Sequence, residues 1–161
     1  MTELELANGR YVGEQQNGAP HGPGNLYLSN GDHYEGQFVA GAMSGLGTMR
    51  YANGNVYTGE WKANLRHGNG KLTWPNGDRY EGAFVSDKRH GRGTFTWANG
   101  DVYQGLFEEN YRHGNGRLVW ADGGEYEGEF YDDERTGSGA CSYPNGDSYK
   151  GAFLAGMRHG R

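Results

Sequence analysis

The sequence has few of the aliphatic residues from which an ordinary globular core is built. Only 34% of its 161 residues are hydrophobic, whereas 31 are glycine. Disordered segments share this low hydrophobicity, but they are poor in aromatic residues, and this chain has 12 Tyr, 6 Phe and 4 Trp. We therefore expect a folded chain that buries its apolar surface in thin, aromatic-rich layers.

Cysteine, glycosylation acceptors and long apolar runs are also scarce. The single Cys141 cannot form an internal disulfide and no Asn-x-Ser/Thr acceptor occurs, so we expect a reducing, cytoplasmic setting. No apolar run approaches the roughly 20 residues of a membrane span, and no secretory leader is present. The net charge of -5 argues against a nucleic-acid partner, which would need a cationic face.

The sequence has instead a regular spacing of Tyr-x-Gly motifs, whose tyrosines are 23 residues apart: Tyr11, Tyr34, Tyr57, Tyr80, Tyr103, Tyr126 and Tyr149. A fixed period of this size indicates a repeat array. We expect one array over residues 1–161. It begins with a half repeat at 1–10, continues with six repeats that start at the first six tyrosines, and ends with a truncated repeat at 149–161.

Each repeat predicts two strands and a tight turn. Counted from the tyrosine as position 0, the first strand carries Gly at position 2 and an aromatic ring at position 4, as in Gly82 and Phe84. The second strand carries Gly at positions 11 and 13, an apolar residue at 15 and, in most copies, a ring at 17. Because a strand has a period of two, these positions share one face.

The glycines on this face predict close packing of the rings. We expect neighbouring rings to lie flat over backbone that has no side chain in the way, and adjacent hairpins to stabilise one another, since a single hairpin is marginal in water. The Asn-Gly that ends most second strands predicts a two-residue type I′ turn, which the following Asp or Asn can close with its side chain.

The combined pattern Y-x-G-x-F, H-G-x-G-x-L and N-G-D resembles the MORN repeat (membrane occupation and recognition nexus), as in YEGAFVSDKRHGRGTFTWANGD from Tyr80. The resemblance implies an all-β fold, an elongated, twisted antiparallel sheet of successive β-hairpins. It also implies roles as scaffolds, cytoskeletal organisers, dimerising modules or membrane-apposed adaptors. Gln15, Ser44, Thr136 and Gly124 depart from the pattern.

The recurring histidines have two interpretations, a metal site or a structural role: His21, His67, His90, His113 and His159. Successive hairpins are about 9.6 Å apart, whereas zinc needs nitrogens at about 2.1 Å, so we expect a structural role, with metal binding open only where two chains meet. No motif for a catalytic site, a phosphate loop or a cofactor is present. Cys141 takes the apolar position 15 and is expected in the core.

A row of arginines at position 9 is the candidate site for an acidic partner or lipid headgroups: Arg66, Arg89, Arg112, Arg135 and Arg158. Guanidinium groups suit planar anions. The alternative is that nearby carboxylates, such as Asp87 and Glu109, neutralise the row.

Two further surfaces are predicted from the aromatic residues. An aromatic groove open to an amphipathic helix of a partner would comprise Tyr57, Trp61, Trp74, Tyr80, Phe84, Trp97, Tyr103, Phe107, Trp120 and Tyr126. A self-association edge, giving a homodimer through the C-terminal repeats because exposed edges pair, would comprise Tyr149, Phe153 and Met157.

The expected function is therefore that of a non-enzymatic scaffold, a protein–protein interaction module that self-associates. From the resemblance it would position its partners at a cytoskeletal or membrane-adjacent structure. The alternative is a phosphoinositide- or membrane-binding regulatory module of a larger protein, although the acidic net charge disfavours more than weak binding to anionic lipid. The mid-repeat end at Arg161 leaves a longer parent chain open.

Overall fold

A computed structural model describes residues 2–154 and 157–159, which form fifteen β-strands. The strands that carry the position-0 tyrosines are β2 (Gly9–Gln16), β4 (His33–Val39), β6 (Val56–Lys62), β8 (Arg79–Val85), β10 (Val102–Glu108), β12 (Glu125–Tyr131) and β14 (Ser148–Leu154). The others are β1 (Thr2–Leu6), β3 (Ala19–Leu28), β5 (Ala42–Arg50), β7 (Leu65–Thr73), β9 (Lys88–Thr96), β11 (Tyr111–Val119), β13 (Glu134–Ser142) and β15 (Met157–His159).

The strands are antiparallel, and their order in the sheet is their order in the sequence. This topology confirms the predicted all-β sheet of successive hairpins. The chain divides into two compact units, residues 1–76 with 84–87 (unit 1) and residues 77–83 with 88–161 (unit 2). Both units consist of the same kind of hairpin. None of the described residues forms a helix, so no helical membrane span exists among them.

Paired glycines explain how the tyrosine rings are buried. In the β4–β5 hairpin Tyr34 lies opposite Met49, and Gly36 lies opposite Gly47. A Cβ atom at Gly47 would stand 2.2 Å from Oη of Tyr34 and 2.4 Å from its ring carbons. The ring therefore lies directly on bare backbone, which confirms that part of the sequence prediction.

The glycine at position 11 has a different role from the one predicted. The pairing of β4 with β5 shifts between Gly36 and Phe38, and Gly45 has a φ of 100°. A Cβ atom at Gly45 would meet the side chain of Gln37 and not a core ring. Position 11 is a β-bulge that needs a positive φ. Strict alternation failed there because a bulge adds a residue to one strand.

The turn types also differ from the sequence prediction. At Asn53-Gly54 only the glycine has a positive φ, 98°, and the N–H of Tyr51 donates to the carbonyl of Asn55 at 2.9 Å across a three-residue loop. Pairs of residues with positive φ, the mark of a type I′ turn, lie at the other end of the strands. Ala63 there has a φ of 47° and Asn64 one of 72°.

The core lies on the face of the sheet that carries the tyrosine rings. Position 15 contributes a buried apolar side chain in six repeats: Leu26, Met49, Leu72, Phe95, Leu118 and Cys141. Cys141 is 2% exposed, which confirms its interpretation as a small core residue. The opposite face is called the outer face below.

Candidate interaction surfaces

The predicted aromatic groove is mostly interior. Seven of its ten rings are between 0% and 5% exposed: Tyr57, Trp61, Tyr80, Phe84, Tyr103, Phe107 and Tyr126. Rings of successive repeats meet edge-on, as do Tyr57 and Phe84 with centroids 5.1 Å apart and planes at 89°. These seven rings are core residues and offer no groove to a partner helix. Trp74, Trp97 and Trp120 remain half-buried.

The hydroxyl groups of the core tyrosines are satisfied by the backbone. Tyr34 donates to the carbonyl oxygen of Gln37 at 2.8 Å. Burial raises the pKa of Tyr34 to about 12, because the loss of hydration outweighs that hydrogen bond. Burial likewise raises the pKa values of Tyr80, Tyr103 and Tyr126 to about 12. The core therefore depends on neutral phenols.

The position-9 arginines of β7 and β11 bind the turn of the next hairpin. Arg66 donates from Nε to Oδ1 of Asp87 at 3.2 Å and from Nη2 to the carbonyl of Asp87 at 2.8 Å. Arg112 makes the same pair of contacts with Asp133, at 3.1 and 2.6 Å. The two arginine side chains are only 19% and 18% exposed. This geometry favours local neutralisation over an external anion.

Arg89 and Arg135 take corresponding places in unit 2. Nη2 of Arg89 donates to the carbonyl of Asn110 at 2.8 Å. Nη1 of Arg135 donates to Sγ of Cys141 at 3.3 Å, and its guanidinium lies 5.5 Å from the ring centroid of Trp120. The side chain of Arg158, the last member of the predicted row, lies outside the described residues. Four members of the row therefore contact their own chain.

The recurring histidines join successive hairpins. Nδ1 of His21 accepts from the N–H of Ala40 at 3.1 Å, and Nδ1 of His67 accepts from the N–H of Ser86 at 3.3 Å. Each acceptor thus binds the turn of the next repeat, which supports the structural interpretation. Within residues 2–154 and 157–159 no group of three His, Cys, Asp or Glu residues could hold a metal ion.

The predicted self-association edge includes a core residue. Phe153 is 3% exposed and packs against Tyr126 and Tyr149, with centroids 4.9 and 5.2 Å away. Tyr149 is half-buried. Met157 lies in β15, but its side chain is outside the described residues. An open depression of about 680 Å³ lies between β13 and β14, lined by residues 143–145, 147 and 148.

Sequence reasoning missed two exposed tyrosines on the outer face of unit 2. Tyr111 is 50% exposed and Tyr131 is 61% exposed. They occupy positions 8 and 5 of their repeats, where no other repeat has an aromatic ring. That departure from the pattern is the signal that could have identified them.

The family model of the MORN repeat matches seven consecutive segments of the chain, at residues 11–33, 34–56, 57–79, 80–102, 103–125, 126–148 and 149–161. The segments begin at the seven position-0 tyrosines. No curated protein sequence matches the chain.

The chain aligns with solved structures that include the following two. One is the TCP domain of SAS-4 (dCPAP) from Drosophila melanogaster, in complex with a proline-rich motif of Ana2 (dSTIL). Its TM-score is 0.51 at 14% identity, over 94% of this chain and 90% of that one. The other is the G-box domain of the microcephaly protein CPAP, with a TM-score of 0.39 at 12% identity, over 95% of this chain and 99% of that one. At such identities the first likeness shows the fold alone, and the second carries no argument.

Proposed function

Because the chain belongs to the MORN repeat family, we propose that it is a non-catalytic scaffold that binds segments of partner proteins. The observation that carries this proposal is the separation of the two faces. The ring-bearing face buries its own side chains, whereas the outer face exposes large apolar residues such as Leu46 at 68% and Tyr131 at 61%. Contiguous apolar surface that the core does not use is typical of protein-binding surfaces.

The chemistry of the partner is suggested by the similar TCP domain, whose structure is a complex with a proline-rich motif. An extended segment of this kind needs exposed rings and hydrogen-bond acceptors rather than a deep pocket. We therefore propose extended peptide segments as the ligands of this chain. A cytoskeletal or membrane-adjacent setting is a further proposal that rests on the family resemblance.

Affinity capture from a cell lysate by the immobilised chain, with identification by mass spectrometry, tests the scaffold. The control is the variant Gly70→Val, in which the new side chain would collide with the ring of Tyr57. We expect a set of proteins that the native chain retains and the variant loses. Equal retention by both proteins would contradict the proposal.

We also propose that copies of the chain associate through the C-terminal repeats. The observations in its favour are the place of β15 at the end of the strand order and the 58% exposure of Leu154, because an edge strand with an apolar neighbour pairs readily. Light scattering over a concentration series should show a dimer that Leu154→Lys weakens. A monomer at every concentration would remove this proposal.

Membrane binding through the arginine row remains the alternative function. Flotation with phosphoinositide-containing vesicles, using the native chain and the double variant Arg89→Glu, Arg112→Glu, tests it. Because these arginines bind the turns of the next hairpins, circular dichroism must show that the variant is folded. Vesicle binding that a folded variant loses would favour this alternative over the scaffold.

A further inference from the structure

The outer face of unit 2 carries a compact group of exposed aromatic and acidic side chains, here called the tyrosine patch: Glu108, Tyr111, His113, Tyr131, Asp132 and Glu134. Its two rings are the aromatic residues at positions 5 and 8 of their repeats, and Tyr131 is 61% exposed and Tyr111 50% exposed. Neither ring belongs to the core, which is complete without them.

Strand register brings the group together. Tyr111 lies opposite Glu108 in the β10–β11 pair, and Tyr131 lies opposite Glu134 in the β12–β13 pair. Gly114 lies opposite Phe130, so His113 lies opposite Tyr131, and their ring centroids are 5.0 Å apart. Tyr111 and Tyr131 are thus diagonal neighbours on adjacent strands, a position in which Cα atoms are roughly 7 Å apart.

His113 holds the middle of the patch. Its Nε2 lies 3.3 Å from Oε2 of Glu108, and its Nδ1 lies 3.8 Å from Oδ1 of Asp132. The imidazole is only 29% exposed, whereas the two carboxylate side chains are 54% and 63% exposed. The imidazole therefore lies against the ring of Tyr131, and the two carboxylates beside it are exposed to solvent.

The charge of the patch is negative. Glu108, Asp132 and Glu134 are exposed, and Lys88 is paired with another carboxylate, with its Nζ 3.3 Å from Oε1 of Glu109. The arginine of this region, Arg112, is directed to the other face by its contacts with Asp133. A partner segment with positive charges would complement this rim.

The corresponding positions of unit 1 lack this chemistry. The pair at the same register, Leu65 at position 8 and Val85 at position 5 of the next repeat, is aliphatic, and no position 5 or 8 of that unit holds an aromatic ring. In unit 1 the exposed ring of Tyr27 is stacked on the ring of His33, with centroids 4.4 Å apart. The guanidinium carbon of Arg10 lies over the Tyr27 ring, 4.7 Å from its centroid. Within the described residues, the two rings of the tyrosine patch therefore form the aromatic pair that offers open faces to a ligand.

We propose that the tyrosine patch binds a proline-rich segment that also carries Arg or Lys, supplied by a partner protein. This inference rests on the proposed scaffold function and names its binding site. A polyproline II segment is already ordered before it binds, and its proline rings pack between exposed aromatic side chains. The exposed rings of Tyr111 and Tyr131, on adjacent strands, offer such a surface to the proline rings, and the carboxylates pair with the basic residues of the segment.

Fluorescence anisotropy with the whole chain and a labelled peptide of four Pro-Pro-Arg triplets tests the proposal. The comparison peptides are four triplets of Pro-Pro-Glu and of Ala-Ala-Arg. We expect the Pro-Pro-Arg peptide to bind most tightly, and Tyr111→Ala and Tyr131→Ala each to weaken it about tenfold. The matched controls Leu65→Ala and Val85→Ala, at the same repeat positions of unit 1, should leave the affinity unchanged.

Four outcomes would overturn the inference: no binding of the Pro-Pro-Arg peptide, equal binding of either comparison peptide, equal loss in the unit 1 controls, or unchanged affinity in both tyrosine variants. Circular dichroism of each variant shows whether a loss of affinity reflects unfolding. Captured lysate proteins that both tyrosine variants still retain would refute the site and leave the scaffold function standing. A chain that captures no protein would refute the scaffold itself.

Discussion

At the scale of single residues, the contact between a tyrosine ring and a glycine backbone leaves no space for a side chain at the glycine. A Cβ atom at Gly70 would stand 2.2 Å from Oη of Tyr57, far inside van der Waals contact. The ring cannot withdraw, because its hydroxyl donates to the carbonyl of Glu60 at 2.8 Å. The glycine at position 13 is therefore required by the space the ring occupies.

The variant Gly70→Ala tests this requirement. We expect it to lower the free energy of unfolding by about 2 kcal/mol, the usual range for a forced overpacking. The matched control is Asn69→Ala, next to it on the exposed face, which should change stability by less than about 0.5 kcal/mol. Chemical denaturation measures both variants, and equal midpoints would contradict the packing argument.

Asp87 gives a second prediction at this scale. Its Oδ1 accepts from the backbone N–H of Arg66 at 2.8 Å and from Nε at 3.2 Å, and its own φ is 73°. Asp87→Ala removes both hydrogen bonds and places alanine in the left-handed region, so we expect a loss of about 2 kcal/mol in thermal or denaturant unfolding.

The conservative control for Asp87 comes from the next repeat. There Asn110 accepts from the backbone N–H of Arg89 at 2.9 Å in the same geometry. Asp87→Asn should therefore stay within about 0.5 kcal/mol of the native chain. A large loss in Asp87→Asn would show that the charge of the ion pair, and not the acceptor geometry, stabilises the turn.

At the scale of the hairpin, the sequence predicted the strands well and the turns poorly. Tyr34 and Phe38 follow the period of two that places them on one face, and they are buried as expected. The Asn-Gly signal was misleading, because Gly54 alone takes the positive φ while the side chain of Asn53 accepts from the N–H of Asn55 at 2.9 Å.

The type I′ turns were missed for a physical reason. Ala63 occupies a position that favours Gly, Asn or Asp, and no local propensity points to it. The turn is held instead by tertiary contacts with the preceding hairpin, in which the N–H of Asn64 donates to the carbonyl of Met43 at 3.0 Å and its Oδ1 accepts from the N–H of Met43 at 2.8 Å. The sequence of one repeat cannot predict such contacts, because their two partners lie in different repeats.

This mismatch between Ala63 and its turn predicts a stabilising change. Ala63→Asn relieves the cost of a φ of 47° and keeps Asn64 and its hydrogen bonds, so we expect a gain of about 0.5–1 kcal/mol and a higher melting temperature. In the control Ala98→Asn, in a three-residue loop where the residue has no positive φ, no gain is expected. A gain in both variants would point to a general surface effect.

The candidate site was predictable only in part, because burial depends on neighbouring repeats. Arg112 stands out in the sequence as one of a row of charges, yet its partners are the ring of Phe130, 5.1 Å away, and Asp133. Tyr131 departs from the repeat pattern at position 5, but only the structure shows that its ring lies beside that of His113 and stays exposed. Periodicity identifies which side chains share a face, whereas tertiary packing decides which face is covered.

At the scale of the whole molecule, the repeated core tyrosines make stability depend on alkaline pH. Their pKa values are raised in the folded chain, from 10.0 to about 12 for Tyr34, Tyr80, Tyr103 and Tyr126. A group whose folded pKa lies above its unfolded value contributes stability that is fully present below the unfolded pKa and is lost as pH rises through the folded one. Stability should therefore be constant to about pH 10 and fall steeply between pH 10 and about 12.

Denaturant unfolding at a series of pH values, followed by circular dichroism and by tyrosinate absorbance, measures this loss. We expect the core phenols to ionise together with the loss of the sheet signal, because the loss of hydration outweighs the attraction of nearby guanidinium groups, such as Arg89 beside Tyr80 and Arg112 beside Tyr103. Repeating the series at high salt separates this cause from general repulsion in an acidic chain, since salt screens surface charges but not buried ones. Full recovery of stability in high salt would assign the alkaline loss to repulsion and contradict the role of the buried phenols.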